Sequence, residues 1–287
     1  MPGLDRSPLL GQNASVPTQV FNGTPLFYEV DGDGEPLVLV HGSWAEHTTW
    51  NAVIPGLARS HRVVCYDRRG HALSTAPPAE GTIHDDVADL AALIEDLGLA
   101  PANVCGNSYG ACIVLRLAAQ RPELVRRFAG HEPPMVGVLA GDPDMQPILA
   151  GLQSGIGAAV GLIEAGRHAD AAQLFVETIA LGPGAWAQLP EAVQADFIRN
   201  AETFLGETRD PDALGAVDVA ALGRFDKPAF LTQGDQSPPL FTPIVGKLSA
   251  ALPQVQRHVF AGAGHVPHMT HPHDFVDALG AFLALAT

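Results

Sequence analysis

The chain has 287 residues, enough for one large or two small domains around a sizeable core. Its 31 acidic against 16 basic residues leave a net charge of −15, which argues against nucleic acid and against an anionic membrane surface as partners. The three cysteines, Cys65, Cys105 and Cys112, are an odd number set in apolar stretches. They read as free, buried thiols of a reducing compartment.

Residues 1–17 carry charges and prolines and no apolar core of the length a secretory signal needs, so they read as a flexible leader. No uncharged apolar run of about 18 residues stands out as a spanning helix, and a cytoplasmic location is expected. Residues 19–28 and 36–40 are patterned as strands, with Asp31-Gly32-Asp33-Gly34 between them as a hairpin turn. The second strand ends in His41-Gly42-Ser43-Trp44, where the backbone N–H of Ser43 is placed to donate to a developing oxyanion. Helical periodicity over 49–59 leads to a strand over 62–66. The charges of Asp67-Arg68-Arg69-Gly70-His71 then read as fixing a loop. A helix over 85–97 opens on Asp85 and Asp86, which suit its N-terminal end.

The apolar run 102–105 then meets Gly106-Asn107-Ser108-Tyr109-Gly110 and a helical run over 111–120. Strand, sharp turn and helix with a serine at the apex make a nucleophile elbow: the glycines clear a tight backbone and the turn lifts the hydroxyl above a sheet. The backbone N–H of Tyr109 follows directly and is the second oxyanion donor. A short strand over 125–130 delivers His131-Glu132-Pro133-Pro134. From 135 to 215 only helical stretches occur, around 144–151, 155–165, 169–180 and 191–205. Alternation resumes with strands over 229–232 and 256–260 and helices over 241–251 and 273–286. The pattern predicts an α/β protein with a mostly parallel central sheet flanked by helices. Residues 18–134 and 216–287 form its core domain, and 135–215 a helical cap inserted after the strand ending near Glu132.

A serine hydroxyl needs a neighbouring base, and His265, in Gly262-Ala263-Gly264-His265 between the last strand and the last helix, stands in the expected place. His268, His271 and His273 lie near it, but no carboxylate or cysteine joins them at ligand spacing, so no metal and no cofactor are expected.

H-G-S-W, G-N-S-Y-G and G-A-G-H, in this order and spacing, resemble the α/β-hydrolase fold superfamily from about residue 19 to the C-terminus. The resemblance implies a serine hydrolase with Ser108 as nucleophile and His265 as general base. The superfamily's usual acid is an aspartate after the penultimate core strand. Here the run Gly234-Asp235-Gln236-Ser237 puts Ser237 at that position and Asp235 two residues early. Glu132, at the end of a neighbouring strand and one methylene longer than an aspartate, is preferred to Asp235 as the triad acid. His131-Glu132-Pro133-Pro134, 24 residues after Ser108, together with Trp186 and Gly264-His265-Val266-Pro267, resembles the zearalenone lactonases. That narrower resemblance implies a glutamate acid and a cap tryptophan, Trp186, in the substrate pocket. Trp44, Phe204 and the Met135 loop are expected beside it.

The activity expected is hydrolysis of a small-molecule carboxylic ester or lactone, including a bulky macrolactone, through an acyl-enzyme on Ser108. No nucleic-acid or membrane partner is expected, and a homo-oligomer is left open. A carbon–carbon bond hydrolase of the same fold, or a non-catalytic ligand-binding receptor, is the alternative.

Overall fold

Strand β1 (Thr18–Phe21) turns at Asn22–Gly23, both at positive φ (45° and 77°), into β2 (Thr24–Asp31). Asn-Gly takes these left-handed angles readily, and they match the twist of a two-residue hairpin. The hairpin therefore lies earlier than the sequence reading placed it. Strand β2 pairs antiparallel with β4 (His61–Tyr66), which separates it from β3 (Glu35–Val40). The turn at residues 31–34 links two strands that are not neighbours. The computed structural model describes residues 18–215 and 217–285; the leader expected over 1–17 lies outside them.

The remaining strands are β5 (Ala102–Asn107), β6 (Val125–His131), β7 (Ala229–Gly234) and β8 (Val255–Phe260). The eight-stranded sheet has the order β1-β2-β4-β3-β5-β6-β7-β8, and every pairing from β4 to β8 is parallel. Parallel strands need helical crossovers, so both sheet faces are covered and the strands are apolar on both sides. In β3, Val38 and Val40 enter one core cluster and Leu37 and Leu39 the other, the two-residue period of a strand. The three cysteines are buried and free, and burial pushes each thiol up to about 12.

In chain order the helices are α1 (Ile54–Leu57), α2 (Ile83–Asp96), α3 (Tyr109–Gln120), α4 (Gln146–Glu164), α5 (His168–Phe175), α6 (Glu191–Arg199), α7 (Thr203–Arg209), α8 (Val219–Leu222), α9 (Phe241–Ala251), α10 (Pro267–Thr270) and α11 (Pro272–Leu283). Helix α2 starts on a capping box between Thr82 and Asp85. Helices α4 to α7 lie between β6 and β7 and gather around a third apolar cluster, which includes Ile163, Phe175, Val176 and Phe204. Trp44, from the loop after β3, is the member that joins this cluster to the sheet; its ring stacks on Phe175 at 4.8 Å. Polar pins stand beside it. Arg199 binds Glu46 at 2.6 Å, Thr48 donates to Asp196 at 3.2 Å, and Arg68 binds Glu207 at 2.9 Å.

Helix α4 corrects the sequence reading in one respect. The stretches expected around 144–151 and 155–165 are joined in one continuous helix, Gln146–Glu164, and residues 143–164 are long and apolar enough by length and composition to cross a membrane. Ala159 and Ile163 are buried in the third cluster, while Ala150, Gly151, Ser154, Gly157, Ala158 and Gly161 face outward.

Four histidines, His41, His71, His131 and His268, are at most 2% exposed. Burial is the main reason that each is held below its ordinary value, His131 at about 4 rather than 6.5. His47 runs the other way: burial lowers it, but the hydrogen bond to Asp67 at 2.8 Å leaves it raised. A histidine kept neutral by folding stabilises fully above its unfolded value, and that stability is lost as the unfolded chain takes up protons at lower pH. With four such groups against one, the expected result is a melting temperature that falls steadily from pH 6.5 towards pH 4. A flat thermal-denaturation profile over that range would contradict it.

Candidate functional site

The site is built on the carboxyl ends of β3, β5, β6 and β8. Ser108 sits between β5 and α3 at φ 55°, ψ −122°, a conformation that few non-glycine residues adopt. The flanking glycines are required by close approach. A Cβ on Gly106 would lie 2.3 Å from the oxygen of Gly110, and one on Gly110 would lie 2.2 Å from the oxygen of Val40. Tyr109 is the first helical residue, where a backbone N–H has no acceptor within its own helix. The loop after β3 packs against the elbow, so that a Cβ on Gly42 would stand 3.0 Å from Ser108 Cβ.

Glu132 directly follows β6, at φ 46°, and is fully buried. Its Oε1 accepts the Gly234 N–H at 2.7 Å, and its Oε2 lies 2.6 Å from Nδ1 of His265, which is itself buried. Burial alone would raise this carboxyl. The hydrogen bond from His265 and the nearby His131 outweigh it, and the net shift is downward. Glu132 is therefore a carboxylate that can only accept, so Nδ1 of His265 carries the proton and Nε2 of the neutral ring is free to accept one. The ring is stacked on Phe241 at 4.6 Å, and its backbone oxygen accepts from Asn107 Nδ2 at 2.9 Å.

Asp235 is occupied elsewhere. Its Oδ1 accepts the Gly262 N–H at 2.8 Å and Gln236 Nε2 at 3.1 Å on an exposed edge. Ser237, at the superfamily's usual acid position, has a buried hydroxyl beside Glu132.

Among the described residues, His131, Glu132 and His265 form a set with possible ligand atoms within 4.8 Å of one another. Two ligands on a tetrahedral ion are about 3.3 Å apart at ordinary bond lengths, so the 2.6 Å His265–Glu132 separation fits a shared proton and not an ion. His131 is held by Thr232 Oγ1 at 2.9 Å.

Ser108, His265, Asn107, Gly42, Ser43 and Trp44 line one cavity, closed by Phe175, Ala180, Leu181, Val193, Phe197, Val266 and Met269. A single π-type turn, Val176–Ala180, follows α5 and brings Ala180 and Leu181 to it. Its wall carries two carboxylates, Glu46 and Asp196, and no lysine or arginine among the described residues.

Of the two tryptophans expected at the pocket, Trp44 lines this cavity and Trp186 does not. Trp186 lies on a short turn (Trp186–Gln188) and packs half-buried against the third cluster, and it is not among the residues that line this cavity. Phe204 and Met135 are likewise packing residues, Phe204 beneath Trp44 at 5.2 Å and Met135 in the main core. Sequence reasoning missed Asn107, Phe241, Phe175 and Phe197. Asn107 lay inside the elbow motif and could have been found there; the phenylalanines carry no local signal.

The family pattern of the alpha/beta hydrolase fold matches residues 35–272. The chain is 30% identical over 268 residues to 2-hydroxymuconate semialdehyde hydrolase of Pseudomonas sp. (strain CF600), covering 89% of each chain. It is 35% identical over 111 residues to (E)-2-((N-methylformamido)methylene)succinate hydrolase of Acinetobacter baylyi, a match spanning 39% of this chain and 42% of that protein. Among solved structures, the enol-lactonase from Burkholderia xenovorans LB400 superposes with a TM-score of 0.75 at 21% identity, over 94% of this chain and 100% of that one, a likeness of fold.

Proposed function

Because the chain belongs to the alpha/beta hydrolase fold family, we propose that it is a serine hydrolase whose triad is Ser108, His265 and Glu132 and whose substrate is a neutral, bulky ester or lactone. The observation that carries the reading is the 2.6 Å His265–Glu132 hydrogen bond, buried beside a serine held at an elbow. In this mechanism His265 Nε2 takes the Ser108 proton as the hydroxyl oxygen attacks the carbonyl carbon. The backbone N–H groups of Ser43 and Tyr109 stabilise the oxyanion. Collapse expels the alcohol oxygen, which receives the proton from His265. Water, deprotonated by His265, then attacks the acyl-enzyme and releases the acid and the free serine. In a lactone the alcohol and acid stay on one molecule. Every proton is handled by His265, and the scheme uses no cofactor.

The neutral substrate class is supported by the cavity wall, which is largely apolar; its two carboxylates, Glu46 and Asp196, are both paired with Arg199, and no lysine or arginine among the described residues lines the wall to hold an anionic group. A resorcylic macrolactone of the zearalenone type has the bulk and apolar surface this wall suits. A carbon–carbon bond hydrolase is the second reading, favoured by the similarity to 2-hydroxymuconate semialdehyde hydrolase along 89% of the chain. It would use the same serine and histidine.

The test is product analysis by mass spectrometry on four substrates: a resorcylic macrolactone, a neutral aryl ester, the same ester bearing a carboxylate, and a vinylogous diketone. The expected result is ester or lactone cleavage, with kcat/KM for the carboxylate-bearing ester at least about tenfold below the neutral one, the scale of one unfavourable buried charge contact. Preference for the carboxylate would remove the neutral-substrate reading. Cleavage of the diketone alone would replace the esterase by the carbon–carbon hydrolase.

A further inference from the structure

A buried charge cluster lies behind the loop after β3, outside the catalytic scheme. Arg68, 2% exposed, binds Asp86 through Nε at 3.2 Å and Nη2 at 3.1 Å. The same Nη2 donates to Glu207 Oε1 at 2.9 Å, and Nη1 donates to the Gly42 carbonyl oxygen at 3.3 Å. That oxygen also lies 2.9 Å from His41 Nδ1, while His41 Nε2 accepts the Arg68 backbone N–H at 3.0 Å. An Nε2 that accepts requires the proton on Nδ1, so His41 donates to Gly42 as well. The guanidinium carbon stands 4.3 Å from the centroid of the Tyr109 ring. Glu207, from α7 of the insert, neighbours the Ser43 hydroxyl.

The carbonyl of Gly42 and the N–H of Ser43 belong to one peptide unit, which is planar and trans, so they point in opposite directions. With its oxygen held by two donors on the buried side, the unit turns its N–H to the other side, where Gly42, Ser43 and Ser108 line the cavity. We propose that Arg68 is a positioning residue that locks the Gly42–Ser43 peptide with its N–H towards Ser108, and that Glu207 makes this setting depend on the inserted helices. The inference rests on the serine-hydrolase reading, since it assigns Ser43 N–H as an oxyanion donor. It adds that the donor is set from behind by a fork of hydrogen bonds, and that the insert holds the fork. A lysine keeps the charge but not the fork, because one ammonium cannot reach two carboxylates and a carbonyl in the guanidinium geometry.

The test compares wild type with Arg68→Lys, Glu207→Ala and Glu207→Gln on a neutral aryl ester, with the affinity of a trifluoromethyl ketone, whose adduct carries an oxyanion, measured alongside. A fluorophosphonate label on wild type checks the nucleophile first: no labelling and no turnover would fail the hydrolase reading itself and leave the positioning role without a reaction. With wild type active, Arg68→Lys is expected to lower kcat about 30-fold with KM within twofold, a fraction of the 10²–10³ lost when an oxyanion donor is removed outright. Inhibitor affinity should fall by the same factor. Glu207→Ala should show the same signature at about fivefold, and Glu207→Gln, which keeps an acceptor for Arg68, should recover most of it. A folded variant set with kcat and inhibitor affinity within twofold of wild type, or with KM rising while kcat holds, overturns the proposal. Should Arg68→Lys fail to fold, the Glu207 pair decides it, because Asp86 still balances Arg68 there.

Discussion

Ser108→Ala is expected to lower kcat on an ester substrate by about 10⁴-fold or more while leaving the protein folded. The magnitude follows from the unity of the proposed set. Without the hydroxyl there is no acyl-enzyme to form, and the histidine and oxyanion donors retain only the assistance they give to direct attack by water. The fold should survive because the change removes one partly exposed oxygen and keeps a Cβ at a position whose backbone is already set at φ 55°. Steady-state kinetics on the purified variant, with intact-mass detection of a fluorophosphonate adduct on wild type alone, check the expectation. Retention of more than about a tenth of the activity would remove Ser108 from the nucleophile's role.

Glu132→Gln should be nearly as damaging, about 10⁴-fold in kcat, the scale on which an asparagine in place of a triad aspartate acts. The physical cause is a tautomer. The glutamine amide can still accept the Gly234 N–H through its oxygen, which turns its NH₂ towards Nδ1 of His265. Nδ1 must then accept, the ring proton moves to Nε2, and the base has no lone pair for Ser108. Asp235→Asn should stay within about twofold of wild type, because the Asp235 carboxylate receives Gly262 N–H and not the imidazole. The reverse pattern, with Asp235→Asn inactive and Glu132→Gln active, would place the acid after β7.

What the sequence revealed follows the range of the interaction. The elbow is legible because its constraints lie within five residues, and the structure shows the contacts that forbid side chains at Gly106 and Gly110. Glu132 and His265 are 133 residues apart, and only the succession of strands brings them to one sheet edge. The vacancy at Ser237 was the clue, since a buried imidazole needs an acid from somewhere. The N-terminal hairpin was misplaced because the Asp31–Gly34 turn looks as strong as Asn22–Gly23, and only pairing with β4 decides between them. Within the insert, apolar residues at helical spacing serve cavity wall and packing alike. Phe175 and Phe197 reach the wall and Trp186 does not, a difference that goes with tertiary packing, Phe175 against Trp44 and Phe197 against Phe175, and not with residue type.

The strand end that carries Glu132 is also the point where the chain leaves the sheet to begin the insert. The proposed acid and the insert therefore share a joint, His131-Glu132-Pro133-Pro134, and in the proposed scheme the segment after β7 supplies no carboxylate. What that segment still supplies is support: the Gly234 N–H on Glu132, the Asp235 carboxylate on the Gly262 N–H, and the Phe241 ring against His265. A chimaera that borrows another family member's insert should be spliced downstream of Pro134. An exchange that begins upstream of Glu132 would replace the proposed acid along with the shape of the pocket.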